Sequence, residues 1–262
     1  MNPHQIVIVA VMLGFMLLPG TRVQSSSDAP SPDEEGFAFY VLNQIDRQYR
    51  GNSSHGILEM SIKTKHWSRT LEMESWSLGQ DYSLVKIRKP VKERGSATLK
   101  AKNELYTYLN KTGRTIKINS AMMGSSWMGS HFTNDDLVQD TKLATDFTYR
   151  LVGSAFWGPK TVTIIELIPK KGRAIVYGKI QVAVYEGSLQ PAYQLFFDED
   201  GKKIRKMEYS DYRQSNGRLF PHKMVMKPFD KSGEYTAMQW KQISFDGSLQ
   251  KSFFSVHRLK SL

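Results

Sequence analysis

The sequence predicts a mainly β protein with a helical cover (α+β): one antiparallel sheet of about eleven strands, long enough that it must curl, capped by short helices. Three patterns carry that expectation. Apolar and polar residues alternate at period two over most of the chain after residue 57. Turn signals containing Gly punctuate these runs. Helical spacing appears only ahead of the first run and in one interruption near residues 120–150.

The chain opens with residues 6–18 (IVIVAVMLGFMLL), an apolar run in the length range of a secretory signal peptide and too short to span a bilayer. Pro19 and Gly20 break it, and Val23-Gln24-Ser25 offers the small residue at −1 and aliphatic residue at −3 that cleavage tolerates. Residues 1–25 therefore read as a signal peptide, and the polar, Pro-rich residues 26–35 as a flexible lead-in. Residues 36–262 read as a single domain with a helical insertion at about 120–150.

At the start of that domain Phe37, Val41, Ile45 and Tyr49 fall four apart with Leu42 beside them, giving a helix over 34–49 with one buried stripe, stopped by Asn52-Ser53-Ser54. Period two then takes over. Leu58, Met60 and Ile62 alternate with Glu59, Ser61 and Lys63, and Leu71 and Met73 alternate with Glu72 and Glu74. Further on, Val176, Ile180, Val182 and Val184 alternate with Tyr177, Lys179, Gln181 and Tyr185. Thr112-Gly113, Asp200-Gly201, Asn216-Gly217, Ser232-Gly233 and Asp246-Gly247 fit tight hairpins, because Gly and Asn accept positive φ at little cost. About six strands precede the interruption and five or six follow it. Within it, Thr133 reads as an N-cap with Asp135 and Asp136 in the first turn, and 142–150 as a second short helix.

The charge is +11 at pH 7, and cations are dense from Lys86 to Lys117: Lys86, Arg88, Lys89, Lys92, Arg94, Lys100, Lys102, Lys111, Arg114 and Lys117, against Glu93 and Glu104. Such a strip favours anionic partners, either lipid headgroups or an acidic protein face, and export argues against nucleic acid. A solvated strand face accounts for it equally well. There is no Cys, so the fold rests on its core without disulfides, and the chain lacks the residue that bacterial lipoproteins acylate.

Catalysis finds little support. His131 with Asp135 and Asp136 is the one cluster suited to acid–base or metal work, but no second His stands near it in sequence. Adjacent carboxylates in a first helical turn point apart, and capping explains both. No Gly-x-Ser-x-Gly elbow is present, so neither enzyme activity nor a cofactor is expected.

Methionines Met60, Met73, Met122, Met123, Met128, Met207, Met224, Met226 and Met238 fall mostly on the inward strand phase or in the insertion. Their flexible thioethers suit a surface that accepts apolar ligands of varied shape, although any single Met also fills a core gap.

One segment, Ser126-Trp127-Met128-Gly129-Ser130-His131-Phe132-Thr133-Asn134-Asp135-Asp136-Leu137, closely resembles the SWMGSDFTNDDL signature of outer-membrane lipoprotein-sorting proteins of the LolA-like superfamily. Arg94-Gly95-Ser96-Ala97-Thr98-Leu99 is similar to that family's RGT-x-L strand. Leu105-Tyr106-Thr107-Tyr108-Leu109 followed by Arg114-Thr115-Ile116-Lys117-Ile118 is similar to its hairpin. Tyr209-Ser210-Asp211-Tyr212 and Arg218-Leu219-Phe220-Pro221-His222-Lys223-Met224 resemble its SDYR and GRWxP segments. His131 stands where the family has Asp, and Tyr106 where it has Trp.

The resemblance implies an incomplete antiparallel β-barrel with an apolar cavity for acyl chains, in a protein soluble in the periplasm. Leu58, Met60, Ile62, Leu71, Met73, Met224 and Met226 would line the cavity. Trp127, Met128 and Phe132 would cover it, and Gly124 and Gly129 would lend the cover hinge freedom. The implied partner is an acylated lipoprotein or lipid, with an inner-membrane transporter and peripheral membrane contact as further expectations. The alternative is a non-catalytic accessory subunit docking on an inner-membrane transporter or envelope assembly, for which Trp67, Trp76 and Tyr82 read as exposed aromatics.

Overall fold

The computed structural model describes residues 32–139, 143–172 and 175–261. The stretch read as a signal peptide, its cleavage site and the lead-in up to residue 31 lie outside the described residues. Among the described residues no helix is long and apolar enough to cross a membrane.

Helix α1 (Pro32–Arg50) begins with Pro at the first helical position and Asp33, Glu34 and Glu35 in the first turn, where the helix dipole favours acidic groups. It thereby absorbs the last four residues of the expected lead-in. Gly51 ends it, not the Asn-Ser-Ser run. At φ +61° Gly51 takes the left-handed conformation and its N–H donates to Arg47 O at 3.0 Å. Ala38, Val41, Leu42 and Ile45 form the buried stripe, whereas Phe37 is 37% exposed and lies off it.

Six strands follow: β1 (Ser53–Lys63), β2 (Ser68–Leu78), β3 (Tyr82–Lys89), β4 (Ala97–Ala101), β5 (Glu104–Leu109) and β6 (Arg114–Ile118). After the insertion, with α2 (Asn134–Gln139) and α3 (Leu143–Asp146), come β7 (Phe147–Trp157), β8 (Lys160–Pro169), β9 (Lys179–Tyr185) and β10 (Pro191–Phe197). Then follow β11 (Lys203–Ser215), β12 (Arg218–Pro228), β13 (Tyr235–Phe245) and a C-terminal α4 (Val256–Ser261).

All thirteen strands join one antiparallel sheet in the order β6-β5-β4-β3-β2-β1-β13-β12-β11-β10-β9-β8-β7. It is a curled sheet that does not close, since β6 and β7 are its two edges. Six strands precede the insertion as expected, and seven follow it where five or six were expected; the first of these, β7, begins inside the stretch assigned to the insertion. Residues 147–150 are strand, with Phe147 and Tyr149 buried and Thr148 exposed between them. Asp246-Gly247 closes no hairpin, because it follows the last strand. There the Asp246 carboxylate accepts the Asn52 N–H and pairs with Arg218, fastening the end of β13 to the start of β1. The phase expected at Val176 and Tyr177 is also reversed: Val176 is exposed and Tyr177 buried ahead of β9.

The main core lies in the concavity, where inward residues of the sheet meet the α1 stripe, Trp127 and Phe132. A smaller cluster sits on the convex face, where Trp76, Leu84 and Leu99 pack beneath Phe254 and Leu259. Trp76 is therefore buried, stacked on His55 at 5.2 Å, and Tyr82 leans on Phe254. Of the three aromatics read as exposed, only Trp67 is.

Candidate functional site

Between the sheet, α1 and the insertion lies a cavity of about 250 Å³. Alternation places its apolar wall: Leu58 of β1, Val85 of β3, Ile180 and Val182 of β9, Phe196 of β10, Met207 and Tyr209 of β11, Met224 and Met226 of β12, and Met238 and Trp240 of β13. Leu42 and Ile45 come from α1, and Trp127, Phe132, Leu137 and Leu143 from the insertion. At the opposite end the lining turns polar, with Ser54, Ser75, Ser77, Gln80 and Ser83 facing Asp46 and Arg50 of α1. Five of these residues bond one another through their side chains. Ser54 and Ser77 hydroxyls are 2.6 Å apart, and Asp46 accepts from Arg50 Nε at 2.8 Å and from Gln80 Nε2 at 2.6 Å. The cavity is thus greasy beside the insertion and hydroxyl-rich near the end of α1.

Of the expected site residues, Leu58, Trp127, Phe132, Met224 and Met226 line this space. Met60, Ile62, Leu71 and Met73 are buried in the same cluster but lie outside the cavity lining, further along β1 and β2 where the core is filled. Met128 packs partly buried against the core and is not in the lining. Sequence reasoning missed the α1 contribution, the serine-rich end, Tyr177, Phe196 of β10 and Tyr209 of β11, and it placed Ile180, Val182 and Met207 on the inward phase without assigning them to the cavity. Ser54, Ser75, Ser77 and Ser83 hold the inward phase, but polar residues at period two read as solvent-facing.

The SWMGSHFTNDDL segment is a closely bonded knot. Trp127 N–H donates to Phe132 O at 2.8 Å, Ser130 N–H to Trp127 O at 2.9 Å, and Phe132 N–H to Ser130 Oγ at 3.1 Å. Met128 and Gly129 take consecutive positive φ angles of 51° and 70°, and Met128 O accepts from Arg69 Nη2. Gly129 is therefore held by a turn that needs its conformation, whereas Gly124 is exposed, with open space where a Cβ would go. Trp127 drops its indole into the core and donates Nε1–H to Thr98 Oγ1 at 3.1 Å.

The knot's second half is electrostatic. Thr133 Oγ1 accepts the Asp136 N–H at 3.2 Å while Asp136 Oδ2 accepts the Thr133 N–H at 2.6 Å, a reciprocal cap that starts α2. Asp136 Oδ1 takes hydrogen bonds from Arg205 and, at 2.9 Å, from Tyr177 OH. His131 does not meet these carboxylates. Its ring lies 2.9 Å from Thr236 Oγ1 through Nδ1 and 3.0 Å from Glu234 Oε2 through Nε2, tying the knot to β13. The Lys65 N–H and then His131 hold the Glu234 carboxyl below its ordinary pKa. Among the described residues no three His, Cys, Asp or Glu side chains converge as a metal site would need.

A curled antiparallel sheet, open at one seam and roofed by helices over an apolar cavity, defines a LolA-like fold, and solved structures agree. A DUF1329 family protein from Desulfovibrio piger is 20% identical, with a TM-score of 0.77 over 86% of this chain and 99% of that one. A domain described as an outer membrane lipoprotein-sorting protein, from Vibrio parahaemolyticus, is 21% identical (TM-score 0.74; 85% and 97% covered). A LolA superfamily protein from Nitrosomonas europaea is 18% identical (TM-score 0.71; 84% and 97% covered). No curated protein matches the sequence. A family model described as "-like: Uncharacterized protein" matches residues 79–261, and the chain belongs to that family.

Proposed function

We propose that this protein is a non-catalytic periplasmic carrier that binds acyl chains of lipoproteins or other lipids in the cavity and moves them toward the outer membrane. The observation that carries the reading is the cavity wall, built of methionines, aromatics and branched aliphatics under a helical roof. Each buried CH₂ of an acyl chain contributes about 0.8 kcal/mol, so even a partly inserted chain is held against water. The polar end supplies hydroxyls and amides for the part of an amphiphile that stays hydrated. At about 250 Å³ the space exceeds the roughly 150 Å³ cavity that admits benzene, yet falls short of the ~300–1,000 Å³ of drug-sized sites. Loading a full chain therefore requires the roof to lift, and Gly124, exposed, with open space where a Cβ would go and ahead of the Ser126–Leu137 segment, is the hinge we assign to that motion.

Native mass spectrometry of protein purified from a bacterial periplasm, followed by solvent extraction and lipid identification, tests the proposal. Stoichiometric acyl lipid in the wild type, and its loss in Met224→Trp, is the expected result. Met224 lines the cavity and is only half-buried, so the larger ring fills the space without displacing tight core. Protein that emerges empty and fails to take up a fluorescent fatty acid overturns the carrier. That result leaves the accessory-module reading, which draws on exposed Val152 and Phe156 along the unpaired edge β7.

A further inference from the structure

At one end of the sheet four neighbouring hairpins turn back side by side. Going along the strand order they are β12–β13, β1–β2, β3–β4 and β5–β6. Register places them at the same end: Lys63 pairs with both Tyr235 and Ser68, Glu72 with Lys89, Ala97 with Tyr108, and Leu109 with Arg114. Each tip presents one large apolar side chain to water: Phe229 (51% exposed), Trp67 (44%), Val91 (84%) and Leu109 (38%).

Every one of these tips is flanked by exposed cations. Lys227 and Lys231 stand beside Phe229, Lys63 and Lys65 beside Trp67, Lys89, Lys92 and Arg94 beside Val91, and Lys111 and Arg114 beside Leu109. Glu72 is engaged by Lys89, Glu93 by Arg69, and Glu234 by the Lys65 N–H and His131. Asp230 beside Phe229 is exposed, and the adjoining β10–β11 hairpin, with exposed Glu199 and Asp200, bounds the basic row on that side. Three cations of the basic strip do not belong to this face: Lys102 stands in the β4–β5 turn at the opposite end of the sheet. Lys100 is buried, donating to Gln80 O at 2.9 Å, and Lys117 pairs with Glu104.

The tips are also bonded into a row. Lys65 N–H donates to Glu234 across the first gap at 2.9 Å, Arg69 reaches Glu93 across the second at 3.0 Å, and Asn110 Nδ2 donates to Arg94 O across the third at 2.9 Å. A single exposed apolar side chain on a loop is ordinary. Four in a bonded row, each flanked by cations, match the chemistry of an anionic lipid interface. Apolar tips enter the headgroup layer while ammonium and guanidinium groups meet phosphates.

We infer that this row of hairpin tips is a peripheral docking surface for an anionic phospholipid bilayer. The inference stands apart from the carrier reading, since it uses no cavity residue. Arg69 also holds Met128 O, so the surface adjoins the knot that roofs the cavity, and a docked molecule would bring its roof to the membrane.

Flotation of the purified protein with vesicles tests it, comparing phosphatidylglycerol-rich with pure phosphatidylcholine vesicles. Binding to the anionic vesicles is expected, falling roughly tenfold or more as salt shortens the screening length. The double variant Val91→Asp, Phe229→Asp changes two exposed tips, so circular dichroism and thermal midpoint should match the wild type while vesicle binding is lost. Met224→Trp should bind vesicles as the wild type does, which separates surface docking from uptake of lipid into the cavity. Bare anionic vesicles, equal binding to both compositions, unaltered binding by the tip variant, or loss of binding in Met224→Trp would each overturn the inference. Bare vesicles together with capture by an acidic protein would reassign the row to a protein partner.

Discussion

Arg205 and Asp136 form a largely buried ion pair that clamps the insertion to the sheet, with the guanidinium lying against the rings of Tyr177 at 4.9 Å and Phe196 at 4.6 Å. The same arginine donates Nη1–H to His131 O at 3.0 Å, so one β11 side chain holds both the cap of α2 and the turn before it. Removing one member strands the other's charge away from water. Asp136→Asn is expected to lower unfolding free energy in urea by about 3 kcal/mol. The double variant Asp136→Leu, Arg205→Met should cost less than the two single losses added. Strict additivity in that cycle would show that the pair is not the clamp.

The Trp127 indole N–H donates to Thr98 Oγ1 in the core. Thr98→Val keeps the shape but leaves a buried indole N–H without an acceptor, at an expected cost of about 1–3 kcal/mol. Trp127→Phe removes donor and part of the ring together. Thermal unfolding of both variants checks this, and a Thr98→Val protein as stable as the wild type would show that the bond contributes nothing.

The two glycines of the cover should respond differently. Gly129→Ala forces a Cβ onto a residue at φ +70° and is expected to cost about 1–2 kcal/mol. Gly124→Ala meets open space and no positive φ, so stability should hold or rise by about 0.4–1 kcal/mol, while release of a bound fluorescent fatty acid slows. Equal destabilisation at both sites would remove the distinction between bonded knot and hinge.

Acid should expose Glu166. It sits on β8 with Arg150 and Gln181 directly opposite on the flanking strands, and Lys179 Nζ reaches it at 2.9 Å. Burial opposes its ionisation, but Lys179, Arg150 and Gln181 outweigh burial and hold its pKa below the ordinary value. A depressed folded pKa means that the unfolded chain takes up the proton first as pH falls. The stabilisation is complete above about pH 4.3, the unfolded value, and is lost as pH drops through the folded one. Urea midpoints at neutral and acid pH should therefore fall further for the wild type than for Glu166→Gln. Parallel declines would show that Glu166 contributes nothing to acid sensitivity.

Much of this was legible in the residues themselves. Leu58, Met60, Ile62, Leu71 and Met73 all face inward as their alternation required, and Thr133 caps α2 as its spacing with Asp136 implied. Period two reports a face, however, and not a height along the strand. It could not tell Leu58, beside empty space, from Met60, packed solid two residues on. The polar end was hidden because Ser54 and Ser77 satisfy each other across β1 and β2, an exchange set by register. β7 was obscured because its first buried residues, Phe147 and Tyr149, follow directly on the short α3, leaving no turn signal between helix and strand.

The placement of β1 beside β13 has a consequence for how the chain assembles. Strands β1–β6 and β7–β13 are two meanders in which every pairing joins sequence neighbours, whereas Ser54 meets Phe245 across almost the whole described chain. Closing so long a loop is slow, and the reward comes only when both halves are in place. The β1–β13 ladder is then a late seam: variants such as Met60→Ala or Met238→Ala should speed unfolding and leave the refolding rate nearly unchanged. The residues that join the two halves also bound or adjoin the cavity, so the chain encloses that cavity in the same step that completes the fold.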